Sequence, residues 1–106
     1  MADAHALQRE AFSHFVAGRL DEAAAGYRAA LEADPKLAIA WNGLAMVLDR
    51  QDDLDGAIEA ARQLVALEPD EPLGHTSLSM FYQRKGMIPE AEEEMAIATR
   101  LSTQRT

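Results

Sequence analysis

Residues 31–35 read LEADP and residues 65–70 read VALEPD, which sets Pro35 and Pro69 34 positions apart. Near-copies of one short phrase at such an interval point to internal repeats, whose periods of roughly 20–50 residues mark stacked-repeat architectures. Sliding the chain by 34 aligns it three times, in blocks of about 4–37, 38–71 and 72–103. Ala23, Ala57 and Ala91 coincide, as do Leu20, Leu54 and Ile88. Ala11, Ala45 and Ser79 coincide as small residues, and Leu44 matches Leu78. The run LDEAAAGY at 20–27 answers LDGAIEAA at 54–61 and IPEAEEEM at 88–95.

Each block divides into two helix patterns of about 13 residues. Trp41, Leu44, Ala45 and Leu48 fall at i, i+3, i+4 and i+7, one face of a helix, and Ala57, Ala61, Leu64 and Leu67, at i, i+4, i+7 and i+10, likewise share one face in the next pattern. Gly18 and Gly86 stand between paired helices, where a positive φ is expected, and Asp52 holds that place in the second block. Asp34-Pro35 and Asp70 read as cap and first-turn signals for the helices that follow. Pro89 falls in a first helical turn, where its missing N–H costs nothing.

This pattern resembles the tetratricopeptide repeat family, whose unit is a 34-residue helix–turn–helix. The resemblance covers nearly the whole chain. The second block supplies Trp41, Leu44, Ala45, Leu48, Ala57, Ala61, Leu64 and Pro69 at the family's pattern positions. The third supplies His75, Leu78, Ser79, Tyr82, Ala91, Met95 and Ala98, and the first Leu7, Ala11, His14, Ala23, Tyr27, Ala30 and Pro35. One departure is a swap of volumes: Tyr27 and Ala30 in the first block become Ala61 and Leu64 in the second, which roughly conserves the total. Another is Glu10, where leucine is expected, consistent with an opening helix that faces solvent. The resemblance implies an all-α, right-handed superhelical solenoid of three helix pairs, six helices in one domain over 1–106, with no separate capping helix.

Composition sets the outer bounds. With 106 residues and 48% hydrophobic content the chain suits one domain with one continuous core, burying roughly 65% of the unfolded surface. The absence of cysteine excludes a disulfide framework and thiolate metal sites. No run approaches the ~20 apolar residues of a membrane span, and Asp3, Arg9 and Glu10 interrupt the place of a signal peptide's apolar stretch. A soluble, cytoplasmic protein is therefore expected. The formal net charge is −8, and 10 basic residues scattered among 18 acids do not make the cationic surface that nucleic acid requires. Nor does catalytic chemistry assemble. His5, His14 and His75 lack metal-binding spacing; the glutamates of EAEEEM at 90–95 read as a solvated helix face; and no nucleophile elbow or phosphate loop occurs. The chain is read as a non-enzyme without a cofactor.

In the family the first helices of the repeats line a concave groove that holds an extended peptide or a helix. The corresponding positions here are His5, Gln8, Phe12 and Phe15; Ile39, Asn42, Met46 and Asp49; and Leu73, Thr76, Met80 and Gln83, with Arg50 and Arg84 at the edge. Phe12, Met46 and Met80 share one repeat position, and with Ile39 and Leu73 they would form an apolar stripe, a common mark of an interaction surface. One subfamily grips the acidic C-terminal tail of chaperones with lysine and asparagine side chains. Its positions here hold Gln8, Phe12, Gly43, Leu73 and Ser77, without a lysine, which argues against that mode. The expected partner is a protein segment, apolar or amphipathic and neutral to basic.

The alternative is a structural scaffold. Positions that would pack against a following repeat read Ala24 and Leu31, then Ile58 and Val65, then Glu92 and Thr99, so the third pair turns polar as a terminal face should. Met95, Ile97 and Leu101 could still leave an apolar edge for self-association or for docking into a larger complex.

Overall fold

The apolar spacing resolves into six α-helices in the computed structural model, which describes residues 3–105 and so leaves the extreme ends of the expected 1–106 domain outside. They are α1 (Ala4–Val16), α2 (Leu20–Ala33), α3 (Ala38–Arg50), α4 (Leu54–Leu67), α5 (Pro72–Lys85) and α6 (Ile88–Gln104). Within pairs, α1 packs on α2, α3 on α4 and α5 on α6; between pairs, α2 packs on α3 and α4 on α5. The three pairs therefore stack in chain order as an all-α solenoid of 40 × 28 × 20 Å. No described helix is long and apolar enough to cross a membrane.

Local chemistry places the helix ends. Asp3 caps α1 by accepting the His5 N–H at 3.0 Å, and Asp53 caps α4 by accepting that of Gly56 at 3.0 Å. Pro72 opens α5 and Pro89 lies in the first turn of α6. The tight turns inside the pairs carry positive φ at Gly18 (81°), Asp52 (61°) and Gly86 (83°), as their spacing predicts. The expectation that Asp34 and Asp70 cap the next helices is not met. The residues at the caps are Leu37 and Glu71, and neither makes a side-chain cap bond. Asp34 instead accepts the Lys36 N–H at 3.0 Å, closing the turn that contains Pro35. That turn has to finish before α3 begins, so the helix starts later than its aspartate signals.

The repeated proline phrase acquires a reason in the structure. The Trp41 indole N–H donates to the Pro35 carbonyl at 2.8 Å, and His75 Nε2 lies 3.0 Å from the Pro69 carbonyl. The two rings occupy the same repeat position and reach the same loop carbonyl six residues earlier. His75 also places Nδ1 2.7 Å from Glu94, which joins α5 to α6. The histidine is buried and partnered at both nitrogens.

Two further ties recur at both joints between pairs. Arg50 stacks on Phe15 at 5.1 Å, and Arg84 pairs with Asp49, each reaching back 35 residues. Gln51 donates to Asp21 at 2.8 Å and Lys85 pairs with Asp55, each reaching back 30. Exposed pairs of this kind contribute roughly 0–1 kcal/mol apiece, so they set register more than stability. Burial of large side chains, at roughly 1.5–3 kcal/mol each, carries the joints themselves.

Those joints are built differently. At the first, Tyr27 is buried beneath Gly43, and a Cβ on that glycine would stand 2.3 Å from the ring. At the second, Ala61 replaces the tyrosine and bulk comes from Leu64 and Val65 under Gly74, where a Cβ would meet Val65 at 2.8 Å. The exchange of large and small residues between repeats thus moves the point of closest helix approach from Gly43 to Gly74.

Two stability predictions follow from this geometry. Alanine for glycine inside a helix ordinarily gains roughly 0.5–1 kcal/mol. Gly43→Ala should instead lose about 1–3 kcal/mol by overpacking against Tyr27, read as a lower denaturant midpoint. A gain would mean that the contact is absent. Asp52→Gly removes a left-handed non-glycine residue, a conformation that costs roughly 1–2 kcal/mol, while losing an exposed bond to Arg84 at 2.9 Å. Its stability should rise by up to about 1 kcal/mol in the same assay, and a clear fall would show that the Arg84 tie outweighs the backbone strain.

Candidate protein-binding groove

Each first helix spends one face on its partner and its neighbours. In α3 that face includes Ala40, Leu44, Ala45, Val47 and Leu48, all buried, which leaves Ile39, Asn42 and Met46 on the other side. The same division in α1 and α5 exposes Phe12, Leu73 and Met80. Phe12, Ile39, Leu73 and Met80 are 40–54% exposed, although each is a large apolar residue. Of the stripe expected from the repeat positions, Phe12, Ile39, Leu73 and Met80 are open apolar surface, whereas Met46 is half-buried.

Two hollows organise much of it. The first, of about 260 Å³, lies where α1 meets α3. Phe12, Phe15, Ile39 and Met46 form its apolar wall, Gln8 and Asn42 add neutral amides, and Tyr27 and Gly43 make the floor. The second, of about 330 Å³, lies at the start of α3 and α5, lined by Ala38, Leu64, Glu68 and Leu73. Ile39 and Asn42 line both, so the two hollows are neighbours on either side of α3. Five expected groove residues, Gln8, Phe12, Ile39, Asn42 and Met46, thus meet in one hollow, and Leu73 lies in the adjoining one.

The remaining candidates lie elsewhere. Thr76 and Met80 are exposed on α5 outside both hollows, and Thr76 donates its hydroxyl to the Pro72 carbonyl at 3.0 Å. Asp49 is engaged by Arg84. Gln83 lines a third hollow, of about 550 Å³, on the outer side of α5 and α6 together with Met95, Glu92, Thr99 and Arg100. The expected end cluster divides: Met95 is exposed in that third hollow, whereas Ile97 and Leu101 are half-buried and do not line it. His5 is exposed on α1.

Tyr27 and Gly43 are the residues of the first hollow that the groove positions do not reveal. Tyr27 lies on α2, which belongs to the outer row of helices, and it reaches the groove only because Gly43 has no side chain. Its hydroxyl sits 2.7 Å from the place a Gly43 Cβ would take and has no hydrogen-bond partner among the described residues. Among the described residues no fully buried side-chain oxygen is left unpaired, so this hydroxyl keeps an outlet to the surface beside the hollow it lines. Burial pushes the phenol above its ordinary pKa, which keeps it a neutral donor. The other tyrosine differs: the Tyr82 hydroxyl accepts from Arg62 Nε and Nη2 at 3.2 and 2.9 Å.

No curated protein sequence matches this chain significantly. Among solved structures, MamA superposes with a TM-score of 0.95 at 22% identity, over 97% of this chain and 60% of that one. The chain thus spans about three fifths of that neighbour's length. The first tetratricopeptide domain of Spaghetti (RPAP3), bound to the HSP90 peptide SRMEEVD, matches with a TM-score of 0.89 at 20% identity, over 93% of this chain and 79% of its own. The Yersinia enterocolitica type III secretion translocator chaperone SycD matches with a TM-score of 0.88 at 21% identity, over 92% and 74%. At these identities the likeness is one of fold. In sequence, the family model described as Tetratricopeptide repeat matches residues 9–72. With the 34-residue period and the three stacked helix pairs, that match settles the family: this chain belongs to the tetratricopeptide repeats.

Proposed function

We propose that the chain is a protein-interaction adaptor that holds a segment of a partner protein against the first helices α1, α3 and α5. The observation that carries this reading is the open apolar residues Phe12, Ile39 and Leu73, which border two neighbouring hollows that share Ile39 and Asn42, with Met80 exposed outside them on α5. Exposed apolar surface that is contiguous and rimmed by polar groups favours a binding role. Asn42 and Gln8 supply amides able to bond a peptide backbone, and Glu68 gives the second hollow a negative edge that favours a neutral or basic segment.

The neighbours support partnership of this kind without naming the partner. One was solved with a peptide from HSP90 and another is a secretion chaperone. The acidic sequence SRMEEVD would find no lysine at the positions compared above, and the chain carries a net charge of −8. A different segment is therefore proposed. A second reading, docking through the outer face of α6, is favoured by the 550 Å³ hollow and the exposed Met95.

Ile39 and Leu73 are more than half exposed, so their replacement leaves the core intact. Ile39→Glu combined with Leu73→Glu should weaken capture of a partner from native extract by about 2 kcal/mol or more, while far-UV helicity is retained. Equal capture by the folded double variant would remove the groove as the site. Loss of capture on Met95→Glu instead would move the function to the α6 face.

A further inference from the structure

The hollow between α1 and α3 has a chemistry narrower than that of a general apolar groove. Its volume, about 260 Å³, is below the roughly 300–1,000 Å³ typical of pockets for free small ligands and suits a single large side chain. Phe12, Phe15 and Met46 offer it two aromatic rings and a polarisable thioether, partners that favour an aromatic occupant. Its polar lining consists of neutral groups alone, the amides of Gln8 and Asn42 and the Tyr27 hydroxyl. A charged tip would be partly desolvated here with no charged group in the lining, which disfavours lysine, arginine and the carboxylates.

The floor narrows the class further. The Tyr27 hydroxyl is held in a side chain only 2% exposed and has no partner among the described residues. A leucine or phenylalanine seated on it would seal it off unsatisfied, at a cost that a hydrogen-bonding edge avoids. We propose that this hollow takes one aromatic side chain with a polar edge, the tyrosine or tryptophan of a partner segment, stacked against Phe12 and Met46 and hydrogen-bonded to the Tyr27 hydroxyl. This rests on the groove reading above and adds the residue type that the partner must present.

The test uses the full chain, labelled with ¹⁵N, and three probes: p-cresol for tyrosine, 3-methylindole for tryptophan and toluene for a ring without a polar edge. Titrations are followed at the amides of Asn42, Gly43 and Met46. The expected result is that p-cresol and 3-methylindole bind about three- to tenfold more tightly than toluene. Tyr27→Phe, which removes only an unpartnered oxygen, should abolish that preference and leave toluene unchanged. Should Tyr27→Phe fail to fold, Phe12→Ala, at a half-exposed position, should weaken all three probes together. Equal binding of the three probes, a preference that survives Tyr27→Phe, or no binding of any probe would overturn the proposal. So would movement of the same amides with protein concentration alone, which would assign the hollow to a second copy of the chain. If the probes fail while Ile39→Glu with Leu73→Glu still loses its partner, the groove reading stands and only the aromatic anchor falls.

Discussion

The contact between the Tyr27 ring and Gly43 is where the packing of the core and the shape of the open face meet. A tyrosine on α2 can enter the joint between the first two helix pairs only if α3 leaves out a side chain there, and Gly43 does so. The ring fills the joint, and its hydroxyl end emerges on the other side as the floor of a hollow. One packing decision therefore creates both an interior contact and a feature of the open face. It also explains why the second joint, where Ala61 stands in for the tyrosine, places its hollow differently. There Leu64 forms part of the lining, and the opening shifts to the start of α3 and α5. Repeats that share a backbone plan can in this way present unlike surfaces, because a volume moved by one helical turn inside the joint changes what is left open outside it.

Around this contact the repeats are held in register by ties that recur with the sequence period. Trp41 and His75 each reach the carbonyl of a loop proline. Arg50 and Arg84 each reach back to the last turn of the preceding first helix, one to an aromatic ring and one to a carboxylate. The position is conserved in geometry while the chemistry changes, which is characteristic of interactions that orient elements rather than stabilise them. Arg84 also accounts for Asp52, the one left-handed turn residue that is not glycine, since its carboxylate accepts from the guanidinium. Asp49, a groove position by repeat register, and Arg84, at the groove's edge, are therefore occupied with each other.

The fold was legible because its signal is redundant. The pattern of each helix of the pair recurs three times at a spacing of 34, and Gly18, Asp52 and Gly86 mark the turns inside the pairs. Helix starts were less legible, since Asp34 serves a turn around Pro35 and not the cap of α3, and both uses require the same residue type. Five residues that line the first hollow could be named from repeat position alone because a first helix presents the same face in each pair. Tyr27 could not, because its access to the groove depends on the missing side chain of a residue on another helix. Gln83 diverged for a related reason: by position it belongs to the groove, but the outer side of α5 is also open, and there it joins Met95. What repeat position conveys is a face. What it omits is the depth of that face, which the neighbouring residues determine.

The central claim is that Tyr27 lies in van der Waals contact beneath Gly43 and so forms the floor of the first hollow. The most direct measurement is a nuclear Overhauser spectrum of the folded chain with the Tyr27 ring and Gly43 α-protons assigned. The account predicts strong cross-peaks between them and an α-proton of Gly43 displaced from its ordinary position by the ring current. Absent cross-peaks, with ordinary Gly43 shifts in a chain that is otherwise folded, would contradict it.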